Sequence, residues 1–199
     1  MMLEVLTPPA ADLVTLADAK AWLNITDSST DDLLSSAISR ASAAVTSYIG
    51  RQVLAGSYRE TIELPPLAKE LVLSRWPVTT LTAVTVDGDA LDVDTAARLD
   101  GDTGTLARLD STGRSRPWSW ACRAVLVVEY TAGFDTAPAD IQDAVLQLII
   151  AAWSARGRDP GLRSIGIGDI SLSYLAPTAQ PSVDTVASLL APYRIPGIG

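Results

Sequence analysis

Between residues 138 and 156 the apolar positions Ile141, Ala144, Val145, Leu148, Ile149, Ala152 and Trp153 recur every three or four residues, the spacing of one helical face. Leu146 and Ile150 widen that face until only Asp143, Gln147 and Ser154 leave a polar stripe. A helix apolar on so many sides is expected to be buried against several neighbours. A membrane span needs about 20 apolar residues. This run is shorter and broken by Gln147, so it reads as the core helix of a soluble domain.

The same period appears earlier in the chain. Leu16, Ala19, Trp22 and Leu23 supply the apolar face of a short first helix, with Thr15 as its cap and Asp18 at the capping-box position. Thr30 opens a second helix, whose first turn carries Asp31 and Asp32, where the helix dipole favours negative charge. Leu34, Ile38, Ala41, Val45 and Tyr48 form its seam, and Gly50 is its expected stop. The opposite face is small and uncharged, with Ser35, Ser36, Ser39, Ser42, Thr46 and Ser47. Such a face reads either as a plain polar surface or as a contact with another subunit, since contact cores carry little charge.

From residue 56 to 133 the period shortens to two. Tyr58, Glu60, Ile62 and Leu64 alternate with Arg59, Thr61 and Glu63, which predicts a half-buried strand. Further strands are expected at 71–73, 81–86, 97–99 and 105–109, with Asp87-Gly88 as a hairpin turn. Residues 123–130 are apolar on both faces, which predicts a central strand. After the core helix, Ile170, Leu172 and Tyr174 alternate with serines as a late strand or β-ribbon, and 183–190 forms a short helix. The end, 191–199, is apolar and nearly uncharged, without an evident place in the core. The expected architecture is α+β: about four helices as a core, an inserted antiparallel sheet or barrel at 56–133, and an extended C-terminal arm at 164–199, within one domain of 1–199.

Composition narrows the functions this fold could serve. Of 199 residues 48% are hydrophobic and 19% charged, which describes a folded chain with a real core. The net charge of -8 argues against coating nucleic acid through its phosphates, although not against surrounding DNA without gripping it. There is no histidine, so the usual general base and zinc ligand are missing. One cysteine, Cys122, rules out an internal disulfide framework and reads as a small core residue. Residues 1–9 lack the basic-then-apolar pattern of a secretory leader, so the expected location is intracellular.

Candidate chemistry is sparse. Asp87, Asp89, Asp92, Asp94, Asp100 and Asp102 invite a calcium reading, but they lack the regular loop and closing glutamate of an EF-hand, and Asp-Gly pairs are turn signals first. Gly166-Ile-Gly168 is half of a dinucleotide fingerprint, followed by a strand pattern where a helix is required. No cofactor, metal or catalytic residue is expected. Arg156, Arg158 and Arg163, and separately Arg114, Arg116 and Arg123, read as solvated loop charges or as contacts to DNA or an acidic partner. Trp118 and Trp120 read as core-edge aromatics or as interface anchors.

Three segments in order resemble the head–tail connector (adaptor) family of tailed bacteriophages and gene transfer agents. The first is Leu16-Ala-Asp-Ala-Lys-Ala-Trp-Leu23, followed by an acidic turn and a helix ending Val45-Thr-Ser-Tyr-Ile-Gly-Arg51. The second is Val128-Glu-Tyr-Thr-Ala-Gly-Phe134, leading into Pro138-Ala-Asp-Ile-Gln-Asp-Ala-Val145. The third is Ile167-Gly-Asp-Ile-Ser-Leu-Ser-Tyr174 with Val186-Ala-Ser-Leu-Leu-Ala-Pro-Tyr-Arg194. Together they cover roughly half the chain, and their order and spacing carry the likeness.

The resemblance implies a non-enzymatic virion protein at the head–tail junction, made in the bacterial cytoplasm. It implies a homo-oligomeric ring, dodecameric in such a family, beneath a portal protein and above a stopper or tail protein, with DNA passing through and no membrane involved. The C-terminal end is then expected to reach into the portal, which maps here to Tyr193, Arg194, Ile195, Pro196 and Ile198. Contacts between subunits are expected at Ser35, Ser39, Ser42, Trp118, Trp120, Leu146 and Ile150. The alternatives are a stopper or tail-completion protein and, further off, a metal-dependent hydrolase using the acidic loop.

Overall fold

In a computed structural model the described residues are 1–120, 122–156, 164–167, 170–173 and 183–194. The chain divides into a β unit, residues 1–10 and 52–136, and a helical unit, residues 11–51 and 137–199.

The β unit holds two antiparallel sheets. The larger comprises β1 (Met2–Thr7), β2 (Gly56–Leu64), β8 (Ala124–Ala132), β4 (Val78–Val86) and β5 (Asp89–Leu91), in that spatial order. The smaller comprises β3 (Glu70–Val72), β7 (Thr105–Arg108) and β6 (Ala97–Asp100), with the single-turn helix α3 (Val93–Ala96) before β6. Both sheets are open; the barrel alternative does not form.

Alternation sets the inner face. Tyr58, Ile62 and Leu64 of β2 pair with Tyr130, Leu126 and Ala124 of β8, and Val84 and Val86 of β4 join from the other side. These side chains share one core with Leu71, Leu73, Leu106 and Trp118. A slip of one residue would turn the whole set outward, so the register is strongly specified. Strand β8 is central, as its apolar run predicts, but it is covered on one face only: Val125 remains 41% exposed. Its outer positions face Thr61 and Glu63 of β2, so that side is a mixed surface. The Asp87-Gly88 turn has positive φ at both residues, 54° and 95°, as a tight two-residue hairpin requires.

Strand β1 lies outside the insertion expected from the pattern. It pairs with β2 from Met2↔Thr61 to Thr7↔Ser57, and it is nearly all exposed. An edge strand buries too little to show a clear alternation.

The helical unit contains α1 (Leu16–Leu23), α2 (Asp31–Ile49), α4 (Ala139–Ala155) and α5 (Val183–Leu190), then a 3-10 turn at Ala191–Tyr193. Strands β9 (Ser164–Ile167) and β10 (Ile170–Ser173) pair antiparallel as a ribbon. Thr15 caps α1 as expected, accepting the Asp18 N–H at 3.1 Å and donating its hydroxyl to the Asp18 carboxylate at 2.6 Å. Thr30 precedes α2 but makes no side-chain cap. Gly50 ends α2 in the left-handed region, φ 83°, with its N–H on the Thr46 carbonyl.

On α4, Ile141, Ala144, Val145, Leu146 and Ile149 are buried, and α1, α2 and α5 all pack against it. A fully buried aliphatic side chain contributes about 1.5–3 kcal/mol, so this helix and α2, which buries as many apolar side chains, carry much of the unit's stability. At 100° per residue, Leu34, Ile38, Ala41, Val45 and Ile49 of α2 face inward, and two flanks border them. One flank carries Asp31, Ser35, Ser42 and Thr46. There Asp31 binds Lys20 of α1 at 2.7 Å, and the Ser42 hydroxyl accepts the Leu13 N–H at 3.0 Å. The chain entering α1 therefore lies along that flank. The other flank carries Leu33, Ala37, Arg40, Ala44 and Tyr48.

Candidate functional site

Helix α5 seats Val186 and Leu190 on α2 and α4. Between the three helices lies an apolar cavity of about 200 Å³, lined by Val45, Tyr48, Leu148, Ala151, Val186 and Leu190 among others. The chain turns at Pro192, and the Tyr193 hydroxyl donates to the Asp140 carboxylate at 3.4 Å. Partial burial, and then the negative charge of Asp140, raise the Tyr193 phenol above its ordinary pKa. The Arg194 guanidinium stands 5.4 Å from the centre of the Tyr48 ring, within cation–π range. Tyr193 and Arg194 thus hold the base of the C-terminal end to this chain's own helices. Ile195, Pro196 and Ile198 lie outside the described residues.

A second groove, of about 460 Å³, runs along the free flank of α2. Leu33, Ala37, Ala44, Ile149, Ala152 and Trp153 line it, with Arg40 and Arg156. Arg156 sits 4.9 Å from the centre of the Trp153 ring.

The residues expected at contacts between subunits fall into two groups. Ser35, Ser39 and Trp120 are exposed and Ile150 is half-buried. Ser42, Trp118 and Leu146 are buried, and a side chain already enclosed by its own chain has no surface to offer a neighbour. Ser42 is enclosed because it receives the Leu13 N–H. The Trp118 carbonyl accepts from the Arg108 guanidinium at 2.6 Å while its ring fills the β core. Leu146 belongs to the buried side of α4.

The carboxylates of the acidic stretch serve turns. Asp87 binds the Val125 N–H at 2.8 Å, Asp92 caps α3, and Asp100 accepts the Asp102 N–H at 3.2 Å. Cys122, expected in the core, is exposed, with Sγ 3.4 Å from the Ser119 hydroxyl. It precedes β8, whose first buried residue is Ala124. Arg123 makes a loose, exposed pair with Glu63 at 3.7 Å. Arg158 and Arg163 lie outside the described residues.

Two features escape sequence reasoning: the partners that complete Glu60, and the exposure of Trp22. Glu60 lies on the inner face of β2, fully buried, and accepts from Tyr130 Oη at 2.7 Å, Ser74 Oγ at 2.6 Å and Ser74 N at 3.1 Å. Burial, and then the bond and charge of Glu60, push the Tyr130 phenol far up. Trp22, expected on the inward face of α1, is 60% exposed, because the helix buries only Ala19. Its position at the margin of the apolar face was the available signal.

The chain thus comprises a β unit and a mainly helical unit, the latter holding Tyr193 and Arg194 on its own helices. The family model described as head completion protein matches residues 12–194, and the chain belongs to that family of virion structural proteins. Solved structures share the fold over 100% of this chain and 98% of theirs. They include a chain of the virion of a native gene transfer agent particle (18% identity, TM-score 0.60). Two others are chains of gene transfer agent necks, one from an empty particle computed with C6 symmetry (21%, 0.58) and one from a native particle computed with C12 symmetry (19%, 0.55). No curated protein sequence matches the chain.

Proposed function

We propose that this chain is a head–tail connector subunit that forms a ring under a portal protein and lets DNA pass through its lumen. The observation that carries this is the anchored end: Tyr193 and Arg194 are fixed to Asp140 and Tyr48, and the residues that follow, 195–199, are apolar and uncharged. A short apolar segment with a fixed origin suits insertion into a partner. Family membership supports the reading, as do the whole-length likenesses to gene transfer agent neck chains. One of those necks was computed with C12 symmetry, which favours a ring of twelve. A net charge of -8 per subunit keeps the polyanion from adhering to the wall. The subunit acts by binding, not by catalysis.

Truncation after Arg194 tests the tail. The shortened chain is expected to keep its circular dichroism spectrum and melting temperature but to stop co-sedimenting with portal oligomers. Undiminished co-sedimentation would sink the tail's role. Locating the subunit in particle micrographs separates a connector from a stopper or tail-completion protein, which would sit further from the portal.

A further inference from the structure

We infer that subunits join head-to-tail by placing Trp22 of one copy into the α2–α4 groove of the next; this rests on the ring-forming reading above. The indole is 60% exposed on a helix that also presents Asp18 one turn earlier on the same side. Tryptophans so exposed are costly in water and enriched at the centres of interfaces. The groove has room for an indole, at about 460 Å³. Its walls are Ala37, Ala44, Ile149 and Ala152, and its charged lining residues are Arg40 and Arg156, with no carboxylate. An apolar knob beside an anion therefore meets an apolar hole beside cations.

Placement on the fold supplies the second argument. Helix α1 is tied to the Asp31–Ser42 flank of α2, and the groove opens on the Leu33–Tyr48 flank. Knob and hole thus sit on opposite sides of one helix. The ring-forming reading selects the head-to-tail use of this pair over its two-fold exchange. The pair then repeats from copy to copy in one direction, and closes as a ring when the rotation allows. The occupant is accordingly a second copy of this chain, and the Asp18 edge of one copy faces the Arg40 rim of the next.

Disulfide trapping in portal-bound assemblies of the full-length chain tests this. In a Cys122→Ser background, Trp22→Cys combined with Ala37→Cys is expected to give a ladder of covalent oligomers on mild oxidation, and each single replacement none. Dimers alone, or no ladder from assemblies that contain the chain as a ring, overturn this interface and leave the connector reading standing. If the unsubstituted chain forms no ring there, both fall. Separately, Trp22→Ala is expected to weaken subunit association about thirtyfold with an unchanged melting temperature. Asp18→Arg and Arg40→Asp should each weaken association about tenfold and together recover most of it. Failure of the pair to recover argues against the assigned facing.

Discussion

Glu60 and Gln147 each bury a side-chain oxygen, one in each unit, Glu60 on the inner face of β2 and Gln147 on the polar stripe of α4. Glu60 is met by three donors within 3.1 Å. Gln147 Oε1, on α4, is buried with no partner among the described residues. Within the β unit Arg59 also bridges Glu129 at 2.8 Å and Glu4 at 3.1 Å across its outer face, while Arg75 Nε and Trp118 Nε1 are buried with no partner among the described residues. The helical unit presents two grooves and an unmatched acceptor, and each unit exposes a tryptophan, Trp22 in the helical one and Trp120 in the β one. Unmatched buried acceptors are uncommon in finished cores. The contrast is between a buried carboxylate fully met within its own unit and a buried amide oxygen that is not.

Several substitutions bear on this contrast. The largest effect is expected from Ile141→Ala, which opens a hole beneath the fully buried face of α4. It should cost about 3 kcal/mol, or a fall of roughly 10 °C in melting temperature; a change under two degrees would show that α4 is not the core. Glu60→Gln keeps the volume but removes the charge from three hydrogen bonds, at about 2 kcal/mol. A neutral result in urea titration would mean the network is not holding β2 to Ser74.

Alkali should act on the same network. Tyr58 and Tyr130 are both held above their ordinary values, mainly by burial. The folded state therefore keeps protons that the unfolded chain loses above about pH 10. Their contribution is complete below that pH and declines as pH rises, by up to about 1.4 kcal/mol per pH unit for each tyrosine. Tyr130→Phe should flatten the decline, read by chemical unfolding at pH 9 to 11.

Smaller effects follow. Ser42→Ala strands the buried Leu13 N–H and should cost about 1 kcal/mol. Gln147→Leu removes an unmatched acceptor from α4 and should stabilise the isolated subunit by up to about 1 kcal/mol. A comparable loss on thermal melting would mean that this acceptor is in fact satisfied.

The alternation in β2 was legible in the sequence down to Glu60 on the inward side, and the 3.6 period placed α2, α4 and α5 closely. What completes Glu60 was not, because Ser74 and Tyr130 stand 14 and 70 residues away, and periodicity carries no information about distant partners. Ser42 was indistinguishable from Ser35 and Ser39 because its burial is decided by Leu13, outside its own helix. The pattern placed Trp22 on a face but could not say where that face ends. Of the expected portal contacts, Tyr193 and Arg194 rest on this chain's own helices, a pairing of Tyr48 with Arg194 that no local pattern announces.

Fixing Arg194 over Tyr48 has a consequence for valency. In the proposed ring, a pinned origin would make each copy's end set out from its own sector. If the ends grip a portal as proposed, one engaged end would raise the effective concentration of its neighbours, and individually weak grips would combine into a collective one that is slow to release. Loosening the pin, as with Tyr48→Ala, would blur the sectors and trade that avidity for reach.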